Sequence, residues 1–325
     1  MRFGIIGTNF VSDFFMEGVK EVKECEIIAV CDINEGGAKN FAEKYSIPHW
    51  YTSYEDMAKS GLIEAVYVAT PNSTHLSISK YFLSRGISTF CEKPMASNIN
   101  QVKEMIECAK EHNTYLHEGI VPLYSPNFQT IKENIKRVGK IRQVTINMAQ
   151  YSSRYDAYLR GENPTTFRNE LSNGAIMDLG IYVFALCIAL FGKPQKIFSA
   201  ANLLDTNADV AGSSILVYDG FNVNLAYSKA SDTKNKVEIS GEEGQIIIEH
   251  PTTFKSIIFV DRKTKEITDL YEETCTMFAF EISDMIEQIK KGCIESSKVP
   301  FELSMVIHEV LTETRKQAGI IFPCD

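Results

Sequence analysis

RFGIIGTNFVS, residues 2–12, passes from an apolar run through a glycine into the small and polar residues that open a helix. Apolar side chains on both alternating sides of the run read as a strand buried on both faces, as in a parallel sheet covered by helices. Gly7 then stands where a tight strand-to-helix turn asks for a backbone without a Cβ, and the first N–H groups of the next helix form an anion-binding end. The turn Gly7-Thr8-Asn9-Phe10-Val11-Ser12 fits a dinucleotide-binding fingerprint only in part, because Asn9 and Ser12 occupy its second and third small positions. Asn tolerates a left-handed backbone and Ser is small, so the turn is feasible. An ordinary tight turn is the competing reading.

The same rhythm continues outward. CEIIAVCD (25–32), EAVYVAT (64–70), ISTFCE (87–92) and TYLHEG (114–119) read as further buried strands, separated by amphipathic segments. This predicts an α/β fold with a Rossmann-type, doubly wound parallel sheet. Asn72 is the expected N-cap of a helix over 73–85, and Gly86 its C′ glycine. The second strand ends at Asp32, where a carboxylate can accept the ribose hydroxyls of a dinucleotide and repel a 2′-phosphate. NAD is therefore the preferred cofactor and NADP the possible one. A solvated acid capping the next helix is the alternative for Asp32.

After Glu118 the pattern changes. Residues 121–139 read as one helix, followed by strands with period-two alternation at 214–219, 221–228, 236–241, 244–250 and 256–261, joined by turn residues. Helices are expected at 174–192, 276–292 and 301–319. The second part is thus α+β, with a large, mostly antiparallel, open-faced sheet. The boundaries are 1–119 for the dinucleotide-binding domain and 120–325 for a substrate and oligomerisation domain, its final helix (about 302–318) expected to pack back on the first.

Bulk properties exclude other classes. A net charge of -9 leaves no clustered basic surface for nucleic acid. The N-terminus lacks the tripartite pattern of a secretory signal, and the apolar run 176–191, interrupted by Asp178, falls short of the roughly 20 residues of a membrane span. Eight cysteines without a C-x-x-C pair suit reduced thiols in the cytoplasm, and no spacing suggests a metal site.

ATPNSTH (69–75), CEKPMASN (91–98) and NGAIMDLGIY (173–182) together resemble the Gfo/Idh/MocA oxidoreductases, in the right order and across both domains. The resemblance implies that Gly7, Thr8, Asn9, Phe10, Val11, Asp32, Thr70, Pro71, Asn72, His75, Glu92 and Lys93 contact the cofactor. It implies Lys93, Asp178 and Tyr182 as catalytic residues, and Glu118, Arg168, Asp178 and Tyr182 as substrate contacts. Spacing agrees for one pair: Asp178 and Tyr182 lie four apart and share a helix face. Leu123 stands where many members carry arginine, and Arg168 has an ion pair with Glu170 as its alternative role. His117 and His308 read as structural. The implied activity is hydride transfer between nicotinamide and a secondary alcohol or hemiacetal of a sugar, polyol or cyclic diol. A dinucleotide-sensing regulatory protein is the alternative. A homodimer is expected first, a tetramer second.

Overall fold

The computed structural model describes Met1–Asp325. The chain forms two compact units, Met1–Tyr124 with Cys275–Ser304, and Ser125–Thr274 with Met305–Asp325.

The first unit alternates strand and helix as its sequence rhythm requires. β1 (Arg2–Ile6), α1 (Phe10–Glu21), β2 (Glu26–Cys31), α2 (Glu35–Tyr45), β3 (His49–Tyr51), α3 (Tyr54–Lys59), β4 (Ala65–Val68), α4 (His75–Leu83), β5 (Ser88–Glu92), α5 (Ile99–Glu111) and β6 (Leu116–Gly119) follow one another. The strands make one parallel sheet in the order β3-β2-β1-β4-β5-β6. The order reverses direction between β1 and β4, so a ligand crevice opens there at the carboxyl ends of the strands. Phe15 of α1 stacks on Tyr67 of β4 with ring centroids 3.8 Å apart, which seats that helix on the sheet. α4 begins two residues later than expected: Asn72–Thr74 form a 3-10 turn after Pro71, and Thr74 makes no side-chain cap. Gly86 ends the helix as read, with φ +72 and its N–H on Leu83 O.

The second unit carries α6 (Pro126–Asn134), β7 (Ile141–Ala149), α7 (Ser153–Leu159), α8 (Ile181–Phe191), β8 (Lys196–Leu203), β9 (Asp209–Tyr218), β10 (Phe221–Ser228), β11 (Lys236–Gly241), β12 (Gly244–Glu249), β13 (Ser256–Asp261) and β14 (Ile267–Asp269). Its sheet runs β14-β13-β12-β11-β7-β10-β9-β8, antiparallel throughout except for the parallel pair β7 and β10. Period-two alternation puts Val144, Ile146, Val223, Leu225, Tyr227, Val237 and Ile239 on the buried face.

One helix expected to be continuous is broken, and a second changes its winding. Residues 121–139 break at Ser125-Pro126, where Ser125 caps the N–H of Asn127 and proline takes the first helical position. Residues 174–192 open with a π-helical turn, Ile176–Gly180, before α8. Counted with the turns before it, the helical run Asn169–Phe191 is longer than the apolar run 176–191 and, by length and composition alone, apolar enough to cross a membrane. Its apolar window is 72% buried inside the protein, as in a core helix.

The division expected at 119/120 also differs from the observed grouping. α9 (Met277–Lys290) returns to the first unit, burying Ala279, Ile282, Met285 and Ile286 in the core that holds Phe15, Val22 and Ile27. Gly18 permits the approach, since a Cβ there would come 2.6 Å from Cβ of Phe278. The last helix, α10 (Phe301–Gln317), groups with the first unit only through Ser304. Its far end is held within the second unit by fully buried Arg315, which pairs with Asp325 at 2.8 Å.

Candidate functional site

In the first unit the site is built at the carboxyl ends of the strands. Gly7 adopts φ +94, and a Cβ there would lie 2.2 Å from Ala69 O at the end of β4, so only glycine fits. The partial fingerprint has a physical explanation. Asn9 has an extended backbone (φ -85), so the left-handed conformation that Asn tolerates is not used, and it closes the turn with its side chain. Its Nδ2 donates to Ala69 O at 2.7 Å and its Oδ1 accepts the Val11 N–H at 2.9 Å. Buried Ser12 donates to Gly7 O at 2.7 Å. These two side chains do with hydrogen bonds what small residues do by absence.

Asp32 faces the same turn. One carboxylate oxygen accepts both the Thr8 N–H (3.0 Å) and the Thr8 hydroxyl (2.7 Å), and the other accepts the Asn34 N–H (2.9 Å). Beside it Ile33 is 96% exposed, and Phe10 is also exposed on the first turn of α1. Ile33 escaped the sequence reading, although an apolar residue straight after a strand-end acid is a signal. A glycine cradle without room for a Cβ, a helix N-terminus and an oriented carboxylate fit a dinucleotide's pyrophosphate and ribose.

Around Lys93 the other expected residues act on one turn. Glu92 accepts the Tyr67 hydroxyl at 2.6 Å on one oxygen and the Lys93 N–H at 3.2 Å on the other. His75 is buried, with Nδ1 2.9 Å from Pro94 O and Nε2 2.8 Å from Thr70 O. Burial, with help from the Lys93 charge, holds its basicity down against the pull of those two carbonyls. Glu118, also buried, accepts the Met95 N–H at 3.1 Å. Thus Glu92, His75 and Glu118 brace the residues flanking Lys93, which is itself half-buried. Thr74 donates to the Thr70 hydroxyl at 2.8 Å and shapes the adjoining loop, while Pro71 is exposed. Leu123 is packed away, and His117 stacks on Tyr124 with burial pushing it down to about 3. His308 is also buried.

In the second unit Asp178 sits in the π-helical turn and Tyr182 in the first turn of α8, both half-buried. The start of this helix is capped from a neighbouring strand. Fully buried Asp209, the first residue of β9, accepts the Ile176 N–H at 2.8 Å. Gly174 is needed there, because a Cβ would lie 2.1 Å from the other Asp209 oxygen. Burial pushes Asp209 up to about 7, opposed by the Ile176 N–H and the Arg315 charge. The ammonium of Lys229, just past β10, donates to Asp178 Oδ2. Neither Asp209 nor Lys229 was expected from sequence. Lys229 was legible, since 223, 225, 227 and 229 fall on one face of an alternating strand and the first three are apolar and buried. Arg168 pairs with Glu170 at 2.8 Å, its alternative role.

Residues 1–120 match the GFO/IDH/MocA oxidoreductase family with an NAD-binding Rossmann fold, and residues 128–247 match the GFO/IDH/MocA C-terminal domain. The uncharacterized oxidoreductase YgjR of Escherichia coli is 38% identical, over 100% of this chain and 98% of its own. The scyllo-inositol 2-dehydrogenase (NADP(+)) IolU of Bacillus subtilis is 35% identical, covering 100% and 99%. The mouse trans-1,2-dihydrobenzene-1,2-diol dehydrogenase is 28% identical, again covering 100% and 99%.

Proposed function

The chain belongs to the GFO/IDH/MocA family of oxidoreductases, and from that premise we propose that it is an NAD-preferring dehydrogenase of a cyclic polyol or cyclic diol. The observation that carries this reading is the braced turn at Lys93, flanked by Glu92, His75 and Glu118, beside a cradle that only Gly7 can form. The substrate class rests on chemistry shared by the relatives, whose names specify a hydroxylated six-membered ring.

When bound, the nicotinamide supplies the hydride acceptor. The chain's own groups do the rest. The turn at Gly7 and the N-terminus of α1 hold the pyrophosphate, and Asp32 accepts from the ribose hydroxyls while repelling a 2′-phosphate. Lys93 and Tyr182 are the groups given the proton that leaves the alcohol, an ammonium and a phenol each able to hold or release one. Asp178 accepts a hydrogen bond from a neighbouring hydroxyl and orients the ring. The protein works in the cytoplasm as a homodimer.

The test is absorbance of reduced nicotinamide across inositols, other polyols and cyclic diols, with NAD and NADP, for wild type and Asp32→Ser. Turnover is expected on a cyclic polyol or diol, with kcat/KM favouring NAD by at least about tenfold because an Asp facing a 2′-phosphate places like charges together. Asp32→Ser should narrow that ratio. A wild type that prefers NADP, as the name of the Bacillus relative specifies for that enzyme, would overturn the role given to Asp32.

A further inference from the structure

β10 buries Val223, Leu225 and Tyr227 on one face, with Asn222 exposed on the other and Ser228 buried only where the strand ends, so the residue two beyond Tyr227 is carried toward the interior. That residue is Lys229. Its backbone is fixed on both sides, its N–H on Val210 O at 2.9 Å and its carbonyl on the Ser152 N–H at 2.9 Å. The side chain is only 9% exposed, and its ammonium donates to Asp178 Oδ2, whereas Asp178 is 45% exposed. The pair is therefore lopsided: a buried cation inside, and a carboxylate reaching outward. The helix segment bearing Asp178 is seated by the same two strands. Asp209 of β9 caps it at Ile176, and Tyr227 of β10 lies against Gly180, where a Cβ would sit 3.4 Å from the ring.

We propose that Lys229 is a positioning residue for Asp178, turning that carboxylate outward as a fixed hydrogen-bond acceptor that selects substrates by a hydroxyl beside the reacting carbon. The inference rests on the dehydrogenase reading given above. An ammonium has three donors and no acceptor, so a carboxyl it holds is presented as an acceptor. Its orientation is then set by rigid strand backbone rather than by the helix alone. A hydroxyl on the adjacent carbon of a polyol ring supplies the matching donor. Substrates lacking that hydroxyl leave the pair unmatched and are rejected more strongly than a shape mismatch would require.

Two arms test this, on the full chain, with Lys229→Met, Lys229→Arg, Asp178→Asn and the double variant Lys229→Met/Asp178→Asn. The first needs no substrate. Asp178→Asn strands a buried ammonium and should lower Tm by several degrees, Lys229→Met should lower it less, and adding Lys229→Met to Asp178→Asn should restore part of the loss. Additive Tm losses would overturn the pairing. The second arm is kinetic. Lys229→Met should cut kcat/KM on a vicinal diol roughly ten- to hundredfold, Lys229→Arg should recover most of it, and the double variant should lose no more than Asp178→Asn alone. NADH or NADPH affinity, read by fluorescence titration, should be unchanged in all four. A further kinetic loss in the double variant, or equal losses on substrates with and without the neighbouring hydroxyl, would show that Lys229 does not act through Asp178. Wild type without turnover on any compound would overturn the dehydrogenase reading, while the Tm cycle would still decide the pair.

Discussion

Asp209 is the residue whose environment makes the sharpest prediction about pH. It is fully buried, caps Ile176 and is pushed up to about 7 by that burial. A folded-state value above the unfolded one means that the folded chain keeps a proton the unfolded chain releases. Stability contributed by this group is therefore complete below about 4, falls as pH rises toward 7, and is level above that. Asp209→Asn keeps a hydrogen-bond acceptor and removes the titration. The Tm of the variant minus that of wild type should grow more positive between pH 4 and 7 and then flatten. A difference constant across that range would contradict the assignment. At the same scale Gly7 and Asp32 were readable because each depends on one local rule, a glycine where no Cβ fits and an acid at a strand end. Asp209 was not readable, because its role as a cap comes from a strand more than thirty residues away from the helix it serves.

Among the elements, the buried strands of the parallel sheet could be read from continuous apolar runs, and the antiparallel strands β9 to β13 from alternation and turn residues. The edge strands β3, β8 and β14 could not. β3 and β14 are three residues each, and β8 exposes Phe198 and Leu203 against the pattern of a half-buried strand. The π-helical turn at 176–180 was equally silent, since an i to i+5 bond leaves no mark in apolar spacing. It places Asp178 in the π-helical turn and Tyr182 in the first turn of α8, so the regular α-helical spacing assumed for the pair does not hold between them. The return of α9 to the first unit follows from a long-range match between its apolar face and Gly18, which no local window contains.

For the whole molecule, the outer face of the large sheet carries Phe198 directly opposite Ile215, both exposed. A repeated apolar face of this kind suits isologous pairing of identical subunits. Light scattering of the purified protein should give a mass of two chains; a mass of one chain at micromolar concentration would contradict the dimer. The central claim joins a dinucleotide cradle to proton transfer at Lys93, and comparing wild type with Lys93→Ala tests it most directly. Both proteins should bind reduced nicotinamide dinucleotide, Lys93→Ala losing at most the one contact Lys93 makes, and only wild type should turn over a cyclic polyol or diol. Full turnover in Lys93→Ala would contradict the account.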